Sequence, residues 1–181
     1  PSWVMSWNEQ HLADKFFGRT LEKIRPLEEY LASREDLFDG EEGGMRSAFP
    51  HAFSTDAAQP DEAFYGWLTA TPFTDELTLA FAASALRAEQ LGADGIPDLL
   101  CISLSSTDAV GHAYGPLSQE MQDNLMRLDQ KLGDFFAEVD QQVGLGNCVI
   151  GLSSDHGVLP LPEELRRRGF ESARISRDEV F

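Results

Sequence analysis

Asp98-Leu-Leu-Cys-Ile-Ser-Leu104 and Cys148-Val-Ile-Gly-Leu152 are the two stretches that decide the predicted fold. Each is too short for a typical helix and apolar on both faces, as buried strands of parallel sheets are. Between them, Ser118 can cap a long amphipathic helix that runs to about Val143. A strand, a helix and a strand within roughly 55 residues predict a βαβ unit with parallel strands. We therefore predict an α/β fold.

The composition divides the chain into two regions. Residues 71–181 are predicted to be core, and they include a second helix that Thr74 can cap and Gly92 can end. Residues 1–70 are irregular, with a glycine- and acid-rich run at 39–44. We expect this first region to be a partly helical insert or cap that adds little to the central sheet.

The charge balance limits the classes of partner. The chain has 31 acidic and 14 basic residues, a formal net charge of -17, which disfavours nucleic-acid polymers. It contains no stretch apolar enough to predict a membrane span. Cys101 and Cys148 lie in apolar runs and are predicted to be buried core residues without a disulfide.

Two carboxylate and imidazole pairs follow the predicted strands. Asp108 and His112 come after the first strand, and Asp155 and His156 come after the second. Ligand sites in open α/β sheets lie beyond the carboxyl ends of the strands, so the pairs should converge. Oxygen and nitrogen ligands suit Zn²⁺, with Mn²⁺ or Fe as alternatives. Two such ions about 4 Å apart are a known arrangement for phosphate-ester hydrolysis.

Each half of this pattern has an ordinary structural interpretation. An isolated Asp-His-Gly is a common turn, and only the joint placement of both pairs favours a metal site. Gly111 and Gly157 would allow tight turns that bring the pairs together. His11 and His51 are interpreted as solvated or structural. The serines interpreted as strand-end hydrogen-bonding groups are Ser105, Ser106, Ser153 and Ser154.

The combined motifs resemble a known family. Ser-Ser-Thr-Asp-Ala-Val-Gly-His-Ala-Tyr-Gly-Pro at 105–116, Arg-Leu-Asp at 127–129 and Ser-Asp-His-Gly at 154–157 are similar to the alkaline phosphatase superfamily. The similarity is to its type I phosphodiesterase/nucleotide pyrophosphatase branch, which includes the phosphate-irrepressible bacterial alkaline phosphatases. Phe49-Pro50-His51 and Thr71-Pro72-Phe73 also match. The resemblance implies a partial parallel-sheet alkaline-phosphatase-like core.

The resemblance also implies roles for individual residues. Asp108 and His112 would bind one zinc together with a histidine further downstream. Asp155 and His156 would bind the second zinc together with an aspartate further upstream. The Thr or Ser nucleophile that becomes phosphorylated would also lie upstream. We therefore expect an internal piece of a longer, periplasmic or secreted protein that hydrolyses small phosphate mono- or diesters through two Zn²⁺ ions.

Alternatives remain open from the sequence. The chain could belong to a degenerate, non-catalytic binding module, or to a sulfatase or mutase, because a fold does not determine a reaction. Monoester or diester preference and the oligomeric state are also open. With two ligands for each ion and no nucleophile, the 181-residue chain alone should bind Zn²⁺ weakly and hydrolyse phosphate esters negligibly.

Overall fold

The computed structural model describes residues 1–41, 48–53 and 56–175. Within these ranges the chain is rich in helix and contains one two-stranded sheet. The α-helices are α1 (Ser2–Asn8), α2 (Glu62–Thr69), α3 (Phe73–Ala88), α4 (Ser106–Tyr114), α5 (Gln119–Gln142) and α6 (Pro162–Arg167). The strands are β1 (Thr20–Leu21) and β2 (His51–Ala52), and 3₁₀ turns cover Leu12–Phe16, Leu27–Glu29 and Leu145–Asn147.

Helix α5 confirms the long amphipathic helix predicted between the two motifs. The Ser118 hydroxyl oxygen accepts a hydrogen bond from the Met121 amide at 3.0 Å, so the predicted cap is also confirmed. Phe135 of α5 packs into a cluster with Leu79 and Ala83 of α3. None of the described helices combines the length and apolarity needed to cross a membrane.

Helix α3 is present where predicted, but its predicted cap is wrong. The helix begins at Phe73, directly after Pro72, so Thr74 lies inside the first turn. From there the Thr74 hydroxyl donates to the Leu68 carbonyl at 2.9 Å and ties α3 to the end of α2. The helix ends at Ala88, and Gly92 follows with φ +74°. In the first turn, the Asp75 amide instead donates to the Ser106 hydroxyl oxygen at 3.1 Å.

The two stretches that predict the parallel sheet form no strands in the described residues. Ile102 and Leu104 pack against the cluster between α3 and α5, whereas Leu99 is 87% exposed. In the second stretch Val149 is fully exposed. The predicted parallel pairing is therefore not confirmed. A strand requires hydrogen-bonding neighbours, and the described residues provide none for either stretch.

The predicted burial of the cysteines is wrong. Cys101 is exposed and Cys148 is half-buried, and both are free thiols. Both belong to the two unpaired stretches, in which most side chains are exposed. Their apolar neighbours in the sequence are therefore a misleading guide to their burial.

An aromatic cluster organises the first region. Phe64 of α2 is fully buried, and it packs with Phe16 of the first 3₁₀ turn, Leu21 of β1 and Phe73 of α3. Strand β2 pairs antiparallel with β1, with Leu21 opposite His51. The described part of this region is irregular and partly helical, and its role as an insert or cap remains a prediction.

A buried charged cluster connects the first region to α4 and α5. His51 Nε2 lies 2.7 Å from Glu120 Oε1, and both side chains are almost completely buried. Arg34 pairs with the buried Glu41 and donates to the Tyr114 carbonyl, at the end of α4, at 2.8 Å. Burial, together with the charge of Glu120, raises the pKa of Glu41 to about 8, with Arg34 opposing the shift.

The raised pKa of Glu41 predicts that the stability of the folded chain depends on pH. Because the Glu41 pKa rises from 4.5 to about 8 on folding, the folded state binds more protons between these pH values. The free energy of unfolding should therefore fall as pH rises through that window, by up to about 1.4 kcal/mol per pH unit for one proton. Urea unfolding at several pH values should show this slope reduced in Glu41→Gln. The same substitution at the exposed Glu171 should leave it unchanged, and parallel curves for the wild type and Glu41→Gln would contradict the assignment.

Candidate metal centre

Asp108 and His112 lie on helix α4, whereas the sequence predicted only a tight turn at Gly111 after the first strand. Their spacing of four residues places both side chains on one face of the helix. Asp108 Oδ1 and His112 Nε2 are 3.4 Å apart. The prediction missed α4 because the Gly and Pro residues at 111–116 resemble a loop signal, whereas Gly111 lies within the helix.

Asp155 and His156 form the second pair, in the segment that precedes α6. Asp155 Oδ2 lies 3.5 Å from His156 Nε2, and Asp155 Oδ1 accepts the His156 amide hydrogen at 3.1 Å. His156 Nε2 also lies 3.8 Å from Asp108 Oδ1 of the first pair. The structure thus brings the two predicted pairs together on one side of α4.

The paired side chains are accessible to solvent. The exposed fraction ranges from 49% for Asp108 to 87% for Asp155. Asp108 Oδ1 is the exception, because this atom is buried and accepts no hydrogen bond within the described part of the chain. Its neighbours are the two imidazole nitrogens, and it is the kind of unsatisfied oxygen that a cation would compensate.

Within each pair, the oxygen and the nitrogen are spaced so that both could bind the same cation. Two ligands of a tetrahedral Zn²⁺ with bonds of about 2.0–2.1 Å are about 3.3–3.4 Å apart. The closest oxygen and nitrogen in the two pairs are separated by 3.4 Å and 3.5 Å. Among the described residues, however, no three His, Cys, Asp or Glu side chains form a group that could hold one metal ion. Each pair can therefore supply two ligands, and the others would have to come from elsewhere.

The backbone of the second pair orients its imidazole. His156 Nδ1 lies 3.0 Å from the Gly157 carbonyl oxygen, so a proton on Nδ1 would leave Nε2 free as a ligand. This contact, together with Asp155 and Asp108, raises the pKa of His156 above its ordinary value. A cation at Nε2 would therefore compete with a proton.

Comparison with known proteins identifies the family. The sequence profile of the type I phosphodiesterase / nucleotide pyrophosphatase family matches residues 10–178. The chain belongs to this family. The resemblance drawn from the motifs is thereby confirmed.

Several relatives of this chain are named alkaline phosphatases. It is 39% identical over 171 residues to alkaline phosphatase PhoV of Synechococcus elongatus, covering 93% of this chain and 30% of PhoV. It is 39% identical over 160 residues to alkaline phosphatase PafA of Elizabethkingia meningoseptica, covering 87% of this chain and 29% of PafA. A crystal structure of PafA matches 94% of this chain and 33% of PafA, with a TM-score of 0.82 and 35% identity. The chain therefore shares the fold of part of an alkaline phosphatase and spans about a third of its relatives' length.

Two hydrogen-bonded contacts hold the start of helix α4, and neither was predicted from the sequence. The Ser106 amide donates to Asp75 Oδ1 of α3, and the Asp75 amide donates to Ser106 Oγ, each at 3.1 Å. Asn124 of α5 donates to the Thr107 hydroxyl at 3.0 Å. Asp75 is buried, which raises its pKa. These links attach the turn that carries Asp108 to the two longest helices.

The two other histidines agree with their interpretation from the sequence, whereas Gly111 does not. His51 is structural, since it is buried against Glu120, and His11 is exposed near Asp14. The predicted turn at Gly111 is wrong, because that residue is helical. Gly111 is instead in close contact with neighbouring side chains, and Gly157 has open space around it.

Proposed function

We propose that this chain is part of a metal-dependent hydrolase of phosphate esters. The observation that carries the proposal is the approach of two Asp/His pairs to 3.8 Å in a member of this family. The names of the alkaline phosphatases PhoV and PafA support phosphate-ester chemistry, and the pairing of carboxylate oxygen with imidazole nitrogen supports Zn²⁺. A preference for monoesters or for diesters is left open.

In this proposal two Zn²⁺ ions are held in part by this chain. Asp108 and His112 supply two ligands to one ion, and Asp155 and His156 supply two to the other. Bound zinc would activate a hydroxyl nucleophile and stabilise the leaving oxygen. Helix α4 holds the first pair at fixed spacing, and the Gly157 carbonyl orients the second. The nucleophile and the remaining ligands belong to polypeptide outside this chain.

The parallel sheet, the class of substrate and the cellular location are also proposed. Residues 98–104 and 148–154 would be strands of a parallel sheet when the remaining polypeptide is present, since both stretches are apolar and unpaired. The substrate would be a small phosphate ester, because the net charge of -17 disfavours a nucleic-acid polymer. A periplasmic or secreted location rests on the family resemblance alone.

A zinc titration of the 181-residue chain tests the metal proposal directly. We expect weak but measurable binding by isothermal titration, because each pair offers two of the four ligands that zinc prefers. His112→Ala and His156→Ala should each weaken it by about tenfold or more. The matched control is His11→Ala, since His11 is also an exposed imidazole 3.7 Å from an aspartate.

The outcomes separate the proposal from its alternative. Equal losses in all three histidine variants would indicate unspecific surface binding and contradict the assigned ligands. Zinc binding in a longer protein that cleaves neither an aryl phosphate nor an aryl phosphodiester would favour the non-catalytic binding module. Cleavage of a sulfate ester instead would favour sulfatase chemistry on the same fold.

A further inference from the structure

Two glycines line the face of α4 that meets the segment after His156. Gly111 and Gly115 are four residues apart, so they lie on one face of the helix end. Val158 packs over Gly111, and Leu161, which is 8% exposed, packs over Gly115. The segment that continues from the second ligand pair therefore rests directly on the helix that carries the first.

The approach at Gly111 is so close that even a Cβ atom would require the neighbouring side chains to shift. A Cβ atom built there would lie 3.0 Å from Val158 Cγ2 and 3.2 Å from Met121 Cε. Gly115 has φ +84°, so its backbone alone requires glycine and its substitution would test two effects at once. Gly111 has an ordinary helical backbone that any residue adopts. An effect of substituting Gly111 would therefore reflect the lack of space around it rather than its backbone conformation.

We propose that Gly111 is a positioning residue that sets the separation between the two Asp/His pairs. The expected effect on zinc binding rests on the proposed function, whereas the expected effect on the distance between the two pairs does not. Gly111 lies between Asp108 and His112 in the sequence and contacts the residue two positions after His156. A side chain at Gly111 would lift Val158 from α4 and carry His156 away from Asp108, to which it is now 3.8 Å distant.

The geometric test uses NMR cross-relaxation between the His156 ring protons and the Asp108 side chain in the metal-free chain. We expect this signal in the wild type and its disappearance in Gly111→Val. Gly133→Val is the matched control, because Gly133 lies within helix α5 and a Cβ atom there would meet no neighbouring atom within 4 Å. Adding Val158→Ala to Gly111→Val should restore part of the signal. If Gly111→Val does not fold, Gly111→Ala is compared with Gly111→Ala/Val158→Ala.

Zinc titration of the same variants supplies the second readout. Gly111→Val should bind Zn²⁺ about 10–100-fold more weakly than Gly133→Val, as changes around metal ligands commonly do. An unchanged cross-relaxation signal between His156 and Asp108 in Gly111→Val would overturn the inference, as would an equal decrease in Gly133→Val. The two readouts can also disagree. If the wild type binds no zinc but His156 and Asp108 separate only in Gly111→Val, the proposed function is wrong. Gly111 would still be the residue that sets the separation.

Discussion

Replacing Asp155 by alanine should reduce phosphate-ester turnover about a thousandfold, or about 4 kcal/mol, in a longer protein that contains this chain. The substitution removes one of the two ligands proposed for this pair, and it removes the acceptor of the His156 amide hydrogen. Both effects act on the same proposed metal position. The measurement is steady-state hydrolysis of an aryl phosphate and an aryl phosphodiester with added zinc.

The control for this variant is Asp134→Ala. Asp134 is also a well-exposed aspartate, and it lies 4.0 Å from Lys131. Its removal should leave turnover within about twofold of the wild type, since exposed ion pairs contribute little. Unimpaired turnover in Asp155→Ala would exclude this residue from the metal site. Robust turnover by the 181-residue chain alone would show that the nucleophile lies within it.

Replacing Phe64 by alanine should lower the free energy of unfolding of this chain by about 3–5 kcal/mol. Phe64 is completely buried in the aromatic cluster, with ring centroids of Phe17 and Phe53 at 5.2 Å and 5.6 Å. Truncation would lose both the buried area and these ring contacts and leave a cavity. Urea unfolding followed by circular dichroism measures the change.

An exposed phenylalanine provides the matched comparison. Phe170 is 62% exposed, so Phe170→Ala should change the free energy of unfolding by about 0.5 kcal/mol or less. Equal effects in the two variants would show that the cluster around Phe64 is not a cooperative core. A large loss in Phe64→Ala alone would show that the first region is a packed unit, despite its loop-rich sequence.

Local patterns predicted the features that depend on near neighbours in the chain. The spacing of Met121, Leu128 and Phe135 and the hydroxyl of Ser118 identify α5 and its first residue, because helix periodicity and capping act over a few residues. The charged cluster of Glu41, His51 and Glu120 has no such signal, because its members are far apart in the sequence. The burial of the two apolar stretches was overestimated, since a strand depends on neighbours that its own sequence does not specify.

The sequence by itself determined the family and the chemistry of the four candidate ligands, because side-chain type and motif order are written in the chain. Only the tertiary structure decided that Asp108 and His112 share a helix and that His156 Nε2 lies 3.8 Å from Asp108 Oδ1. That separation depends on the contact between Gly111 and Val158, which are 47 positions apart in the sequence. Such contacts result from the packing of distant segments, which no local pattern encodes.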